Sequence, residues 1–253
     1  MPRFFVNENQ ISKKDNLIRI IGNDVNHIKN VLRLKVNDDI DICSKETSVS
    51  YYSKISEISE KKVVCKIEKV LEEQKEPDIY INVIQALPKA DKMELIIQKT
   101  TELGVKEITP INLKRCVVKI DSKDEPKKLQ KWKSYAESAA KQCGRNIIPK
   151  INSICNINNV FEILKDYDIV FVAYENENKN SLKHVIKNIN KKDVKIALVI
   201  GPEGGIENSE VEFFQNNGAI SVSLGGRILR TETVSFVLTS ILMYEFGDLG
   251  GRI

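Results

Sequence analysis

Along the first 72 residues the apolar positions fall in short β-branched or alternating runs separated by polar turns. "RFFV" (3–6), "NLIRII" (16–21), "DIDIC" (39–43), "VSYYSKISEI" (49–58) and "KVVCKIEKVL" (62–71) each read as a strand. One stretch breaks the pattern: "NDVNHIKNVLRLKVNDD" (23–39) has helical spacing, with Val25, Ile28, Val31 and Leu32 on one face. Together these elements predict a small β-barrel carrying one helix. The acidic run "EEQKEP" (72–77) then changes the composition and marks a boundary, giving domains 1–72 and 73–253.

From Ile79 onward strand and helix patterns alternate. Strands are expected at 79–87, 107–113, 168–174, 194–200 and 219–225, and helices at 91–104, 126–144, 181–189, 208–218 and 231–247. Gly104 and Gly144 read as helix stops, and Asn208 as a helix cap. This alternation predicts an α/β domain with a parallel sheet and helices on both faces.

Two glycine turns stand out because each follows a strand: "GPEGG" (201–205) and "LGGRILRTET" (224–233). Neither has GxGxxG spacing, and no Gly-Lys-Ser/Thr triplet occurs, so neither a dinucleotide nor a P-loop nucleotide site is favoured. In a parallel sheet both turns lie at the carboxyl ends of neighbouring strands, where small ligands bind. Backbone without Cβ atoms there admits a cofactor to close range. Plain structural turns are the alternative.

Composition narrows the setting. The chain is 42% hydrophobic and 29% charged, as for an ordinary soluble protein. Its five cysteines are scattered without metal-ligand spacing, which suggests reduced thiols in the cytoplasm and no bound metal. No apolar leader opens the sequence and no run reaches transmembrane length, so membrane insertion is not expected. Residues 86–150 carry 15 basic and 8 acidic side chains, a net +7, which is a footprint for a polyanion or a solvated lysine-rich surface. Lysine outnumbers arginine 31 to 8, so the few arginines mark positions where a planar fork is needed.

"MPRFF", "HIKNVLRLKVND" (27–38), "ALPKADKMELIIQKTTELGV" (86–105), "RCVVK" (115–119), "WKSYAESAAKQCGRNIIPKI" (132–151), "IGPEGGIENSE" (200–210) and "LGGRILRTETVSFVLTSI" (224–241) occur in that order. The chain thereby resembles, over nearly its whole length, the bacterial 16S ribosomal RNA (uracil-N3)-methyltransferase family of the SPOUT class. One departure is Val234, where that family's pattern carries a smaller residue. The resemblance implies an N-terminal PUA-like β-barrel and a C-terminal SPOUT α/β domain with a deep trefoil knot. It also implies S-adenosylmethionine as cofactor and a homodimer. The implied substrate is a decoding-centre uridine near the 3′ end of 16S rRNA in the small ribosomal subunit. A ribose 2′-O-methyltransferase and a non-catalytic RNA-binding protein on the same scaffold are the competing readings.

The resemblance and the loops together put the cofactor against Leu198, Ile200, Gly201, Gly204, Gly205, Leu224, Gly225, Ile228, Leu229 and Thr231. Methylating uracil at N3 needs a proton acceptor and donors for the charge on O2 and O4, but no covalent nucleophile. Arg230 and Glu232 are the candidates for these roles, although Glu232 in the first turn of the last helix also reads as a dipole-complementing residue. Glu203 reads as a brace for its own loop. RNA contacts are expected from Arg3, Arg33, Lys89, Lys92, Arg115, Gln142 and Arg145, with a salt bridge as the other reading for Arg115 and Arg145. His27 and His184 read as structural and surface residues.

Overall fold

The computed structural model describes residues 1–72, 76–189 and 194–251; part of the acidic run at 72–77 and Arg252 lie outside them. The chain divides into two compact units, Met1–Glu76 with Ala140–Ile148, and Pro77–Ala139 with Pro149–Ile253.

In the first unit six strands form one curled sheet: β1 (Arg3–Val6), β2 (Ile11–Ser12), β3 (Leu17–Ile21), β4 (Asp39–Ser44), β5 (Ser50–Ile58) and β6 (Lys62–Leu71). Their spatial order is β1-β4-β5-β6-β3-β2. No pairing between β1 and β2 closes the ring among the described residues, so the expected barrel is an open, half-rolled sheet. Register shifts at Tyr52/Ser53 and Ile55/Glu57 interrupt the β5–β6 ladder, and bulges of this kind bend a sheet. Phe4, Ile18, Ile20, Ile40, Ile42 and Tyr51 fill the concave side, with Val25 and Ile28 packed onto them.

The expected helix is short. It begins as α1 (Asn23–Asn26) and widens to π geometry over His27–Val31, where the Leu32 N–H bonds to the His27 carbonyl five residues back at 2.8 Å. A π turn takes more residues per revolution than an α turn. Val25 and Ile28 therefore stay buried, while Val31 rotates out to 61% exposure and Leu32 follows it. The expectation of one four-residue apolar face is corrected accordingly.

The second unit contains β7 (Tyr80–Ala86), α2 (Lys92–Glu102), β8 (Glu107–Asn112), α3 (Glu125–Cys143), β9 (Lys150–Ile151), β10 (Cys155–Asn156), α4 (Ile157–Leu164), β11 (Ile169–Ala173), α5 (Leu182–Val185), β12 (Lys195–Ile200), α6 (Asn208–Asn216), β13 (Ile220–Val222) and α7 (Thr231–Phe246). The last residues of α3, from Ala140, belong to the first unit. The strand order is β10-β8-β7-β12-β11-β13, with β9 beside β8, and every pairing is parallel. The central strands β11 (IVFVA) and β12 (KIALVI) read as nearly continuous apolar runs because both faces are covered.

Two details depart from the sequence reading. Helix α4 was not expected; its signals are Asn156, whose side chain accepts the N–H groups of Asn158 and Asn159, and the Val160/Leu164 pair one turn apart. Helix α6 is capped by Glu207 rather than Asn208, because Glu207 and Glu210 form a reciprocal capping box and Asn208 is already helical.

Candidate active site

Because all pairings are parallel, the loops after β7, β11, β12 and β13 emerge along one edge of the sheet. The two glycine turns do not follow neighbouring strands, as the sequence reading had it: β11 lies between β12 and β13. Three loops instead of two thus enclose a cleft of about 980 Å³, the size of a cofactor site.

The first wall is the GPEGG loop. A Cβ on Gly201 would lie 2.7 Å from Ile206 Cγ1, so no side chain fits there. Gly205 has φ of +72°, donates to the Pro202 carbonyl at 2.9 Å, and lies so close to the Glu175 carboxylate that a Cβ would collide with it. The segment after β8 holds this loop from outside: Arg115 Nη1 donates to Gly204 O at 3.0 Å, and Lys114 Nζ pairs with Glu207 at 2.8 Å.

The second wall is LGGRILRTET. At Gly225, with φ of +110°, nothing lies within 4 Å of where a Cβ would be, so the backbone faces open space. Ile228 is 90% exposed on the same loop. The loop then enters α7, and its first turn is stitched to both β7 and the GPEGG loop. Thr231 Oγ1 donates to Gly201 O at 2.6 Å and accepts from Gln85 Nε2 at 2.9 Å, while Ser235 Oγ donates to Gln85 Oε1 at 2.6 Å. Gln85, Thr231 and Ser235 are all buried, so this polar cluster is satisfied internally and locks the walls together.

The third wall follows β11. Glu177 is its brace: its carboxylate accepts from the Lys179 N–H at 2.7 Å, the Asn180 N–H at 3.1 Å and the Ser221 hydroxyl. The hydrogen bond from the Ser221 hydroxyl does most to hold the Glu177 carboxyl below its ordinary pKa. Tyr174 donates from its hydroxyl to Asn208 Oδ1 at 2.8 Å, joining this wall to α6.

On the remaining side, Lys92 Nζ lies 3.0 Å from Glu203 Oε1 and 3.2 Å from Glu232 Oε2. The Glu203 carboxylate, with Glu232 adding to it, raises the Lys92 pKa against a smaller opposing push from burial. Burial works to raise Glu203, but its own backbone N–H, Lys92 and the Lys89 N–H outweigh it and hold that carboxyl low. None of the cleft-lining residues is a cysteine. Burial also lifts the thiols of Cys65 and Cys155 to about 12, far from thiolate chemistry.

A family model described as an RNA methyltransferase domain matches residues 74–243, and another, an RNA methyltransferase PUA domain, matches residues 20–68. The ribosomal RNA small subunit methyltransferase E of Bacillus subtilis is 34% identical over 257 residues, spanning 99% of each chain. The chain belongs to the ribosomal RNA small subunit methyltransferase E family. The member from Mesomycoplasma hyopneumoniae is 32% identical over 96% of this chain and 99% of its own. A crystal structure of the Neisseria gonorrhoeae member, bound to S-adenosyl methionine, matches with a TM-score of 0.87 at 26% identity and covers 98% of each chain.

In this methyltransferase the structure brings Ile200, Gly201, Gly204, Gly205, Leu224, Gly225, Ile228, Leu229, Arg230 and Thr231 together on the cleft. Leu198 is a correction: it is fully buried in β12, between Val83 of β7 and Phe171 of β11, and faces the core. Sequence reasoning missed Gln85, Glu175, Glu177 and Lys179. The polar run "YENENKN" (174–180) directly after an apolar strand is the local signal for the last three; Gln85, inside β7, has none.

The expected RNA contacts divide. Arg33, with φ of +55°, and Gln142, Lys89 and Arg115 are exposed, although one Arg115 nitrogen is engaged with Gly204. Lys92 is engaged with two carboxylates and is not a free phosphate ligand. Arg3 and Arg145 are buried and hydrogen-bonded, which corrects their assignment to RNA. Arg3 Nη1 donates to Gly144 O, Arg145 O and Asn146 Oδ1 at 2.7–2.8 Å. Arg145 grips Glu76 with Nη2 at 2.6 Å and Nε at 3.2 Å. Both forks close the first unit on itself.

Proposed function

We propose that this methyltransferase transfers the methyl group of S-adenosylmethionine to N3 of a uridine near the 3′ end of 16S rRNA, in the decoding centre of the small subunit. The observation that carries the reading is the Thr231–Gly201–Gln85 stitch. It joins the glycine-walled cleft to the turn that presents Arg230 and Glu232, so cofactor binding and base recognition share one edge. The cradle suits the cofactor: Gly201 leaves no room for a Cβ, Gly205 takes a left-handed φ of +72°, and Gly225 presents bare backbone to open space. When bound, the cofactor supplies an electrophilic sulfonium methyl. Glu232 accepts the imide proton from N3, and Arg230 stabilises the negative charge left on O2 and O4. Arg230 directly precedes α7, whose unpaired N–H groups add positive potential at the same point.

The wider reading follows the family. Residues 1–72 serve as the PUA-like RNA-binding domain and 73–253 as the SPOUT domain, with a deep trefoil knot. The enzyme acts in the cytoplasm as a homodimer. Helix α7 supports the dimer, although part of its apolar surface is used within the chain: Leu238, Leu242 and Met243 are fully buried in the chain's own core. What remains is a stripe of half-buried Val234, Val237 and Ile241, continued by Tyr244 at 68% exposure. Val237→Glu is expected to halve the mass seen by sedimentation at micromolar concentration. A wild-type monomer would refute the dimer.

The test of function is a nucleoside digest of small subunits methylated in vitro. N3-methyluridine is expected; a 2′-O-methylated nucleoside would transfer the reading to ribose methylation. Arg230→Ala should lower the single-turnover rate by roughly 10² to 10³, about 2.7–4 kcal/mol of transition-state stabilisation. Arg230→Lys should recover part of it, because one ammonium cannot reproduce a planar fork. A wild-type rate in Arg230→Ala would make the residue structural.

A further inference from the structure

Loops from three strands meet on one ammonium. Lys92 follows β7, Glu203 follows β12 and Glu232 follows β13, and the Lys92 Nζ contacts both carboxylates at 3.0 and 3.2 Å. Glu203 Oε1 is fixed in turn by the Lys89 N–H at 3.1 Å. Two features set this apart from a casual surface pair. Lys92 is the first residue of α2, where the positive end of the helix disfavours a cation. It is reached through Ala90, which takes a left-handed φ of 53° that side-chain-bearing residues adopt at a cost.

The decisive atom is Glu232 Oε2. It is buried, and no donor other than Lys92 reaches it among the described residues. A carboxylate oxygen shielded from water and stripped of its one cation has no anchor left and swings away. We infer that Lys92 is a positioning residue: braced by Glu203, it holds the Glu232 carboxylate in place and aimed at the edge of the target base. The inference rests on the reading of Glu232 as the base-facing carboxylate. The ammonium is ion-paired with two carboxylates here, which favours this role over that of an RNA phosphate ligand.

The experiment compares Lys92→Ala, Lys92→Arg, Glu232→Gln and the Lys92→Ala/Glu232→Gln double variant. Each is measured by single-turnover methylation of purified small subunits at saturating S-adenosylmethionine, and by titration with S-adenosylhomocysteine. Lys92→Ala is expected to slow methylation roughly 10- to 100-fold, as for a misplaced reacting group, with the dissociation constant of S-adenosylhomocysteine changed by less than about threefold. Lys92→Arg should regain most of the rate. The double variant should be no slower than Glu232→Gln alone, because both changes remove one interaction.

Additive losses, a wild-type rate for Lys92→Ala, or Lys92→Arg as slow as alanine would each overturn the inference. A loss of cofactor affinity matching the loss of rate would do the same, reducing Lys92 to a brace for the cofactor loop. If Glu232→Gln methylates at the wild-type rate, the reading of Glu232 itself fails and Lys92 falls with it.

Discussion

Gly205→Val abolishes cofactor binding: S-adenosylhomocysteine is expected to bind at least 100-fold more weakly by calorimetry, about 2.7 kcal/mol or more. Three effects act together at this position. Gly205 has φ of +72°, a region closed to β-branched residues by clash with their own backbone. A Cβ there would also displace the exposed Glu175 carboxylate on the neighbouring loop, a smaller cost. The Gly205 N–H also closes the turn on Pro202 O at 2.9 Å, so the strain is relieved only by opening the wall of the cleft. The effect should be local, because Gly205 lies in the loop between β12 and α6 rather than in either element. A melting temperature near wild type beside lost binding is the expected pair of results. Binding within threefold of wild type would show that the GPEGG loop does not face the cofactor.

Arg145→Ala is expected to destabilise the first unit by about 3–5 kcal/mol, the usual cost of breaking a buried ion pair from one side. The side chains of Arg145 and Glu76 are only 5% and 12% exposed. Besides the Arg145 fork, Glu76 accepts the N–H groups of Asn146 and Ile147 at 3.1 Å each. Alanine would leave a carboxylate in place without its cation, in a site too dry to solvate it. Denaturant unfolding should show a lower midpoint with an unchanged slope. The same variant discriminates against the RNA reading. A phosphate ligand would flatten the salt dependence of rRNA affinity by about one unit, whereas a structural arginine leaves that slope alone. Unchanged stability together with a flattened slope would restore Arg145 to the RNA surface.

Much of the architecture was legible because it depends on local periodicity. Alternation in "DIDIC" and "KVVCKIEKVL" and helical spacing in "DKMELIIQKTTELG" report which face of each element is buried, and β4, β6 and α2 formed where those patterns lie. The two glycine turns were legible for a similar reason, since a backbone that must bend or bare itself takes residues without Cβ. The family likeness, spread over motifs from end to end, carried the chemistry beyond what periodicity reaches. Local patterns also misled in places. The stretch from Val25 to Leu32 has α spacing but adopts a π turn, because packing of Ile28 into the sheet core decided which residues turn inward.

By itself, then, the sequence determined the elements, the two-part organisation expected from them and the glycine loops that line the cleft. The tertiary structure decided which strands are neighbours and which charges are spent. Pairing of β11 with both β12 and β13 placed Glu175 and Glu177 in the cleft, a result no window of residues contains. Arg145 and Lys92 are both cations in the same basic stretch. One is buried by a glutamate 69 positions away, and the other is held between Glu203 and Glu232. Whether a charged side chain meets RNA or a carboxylate depends on partners distant in the chain, and burial by the whole fold sets how strongly it is held.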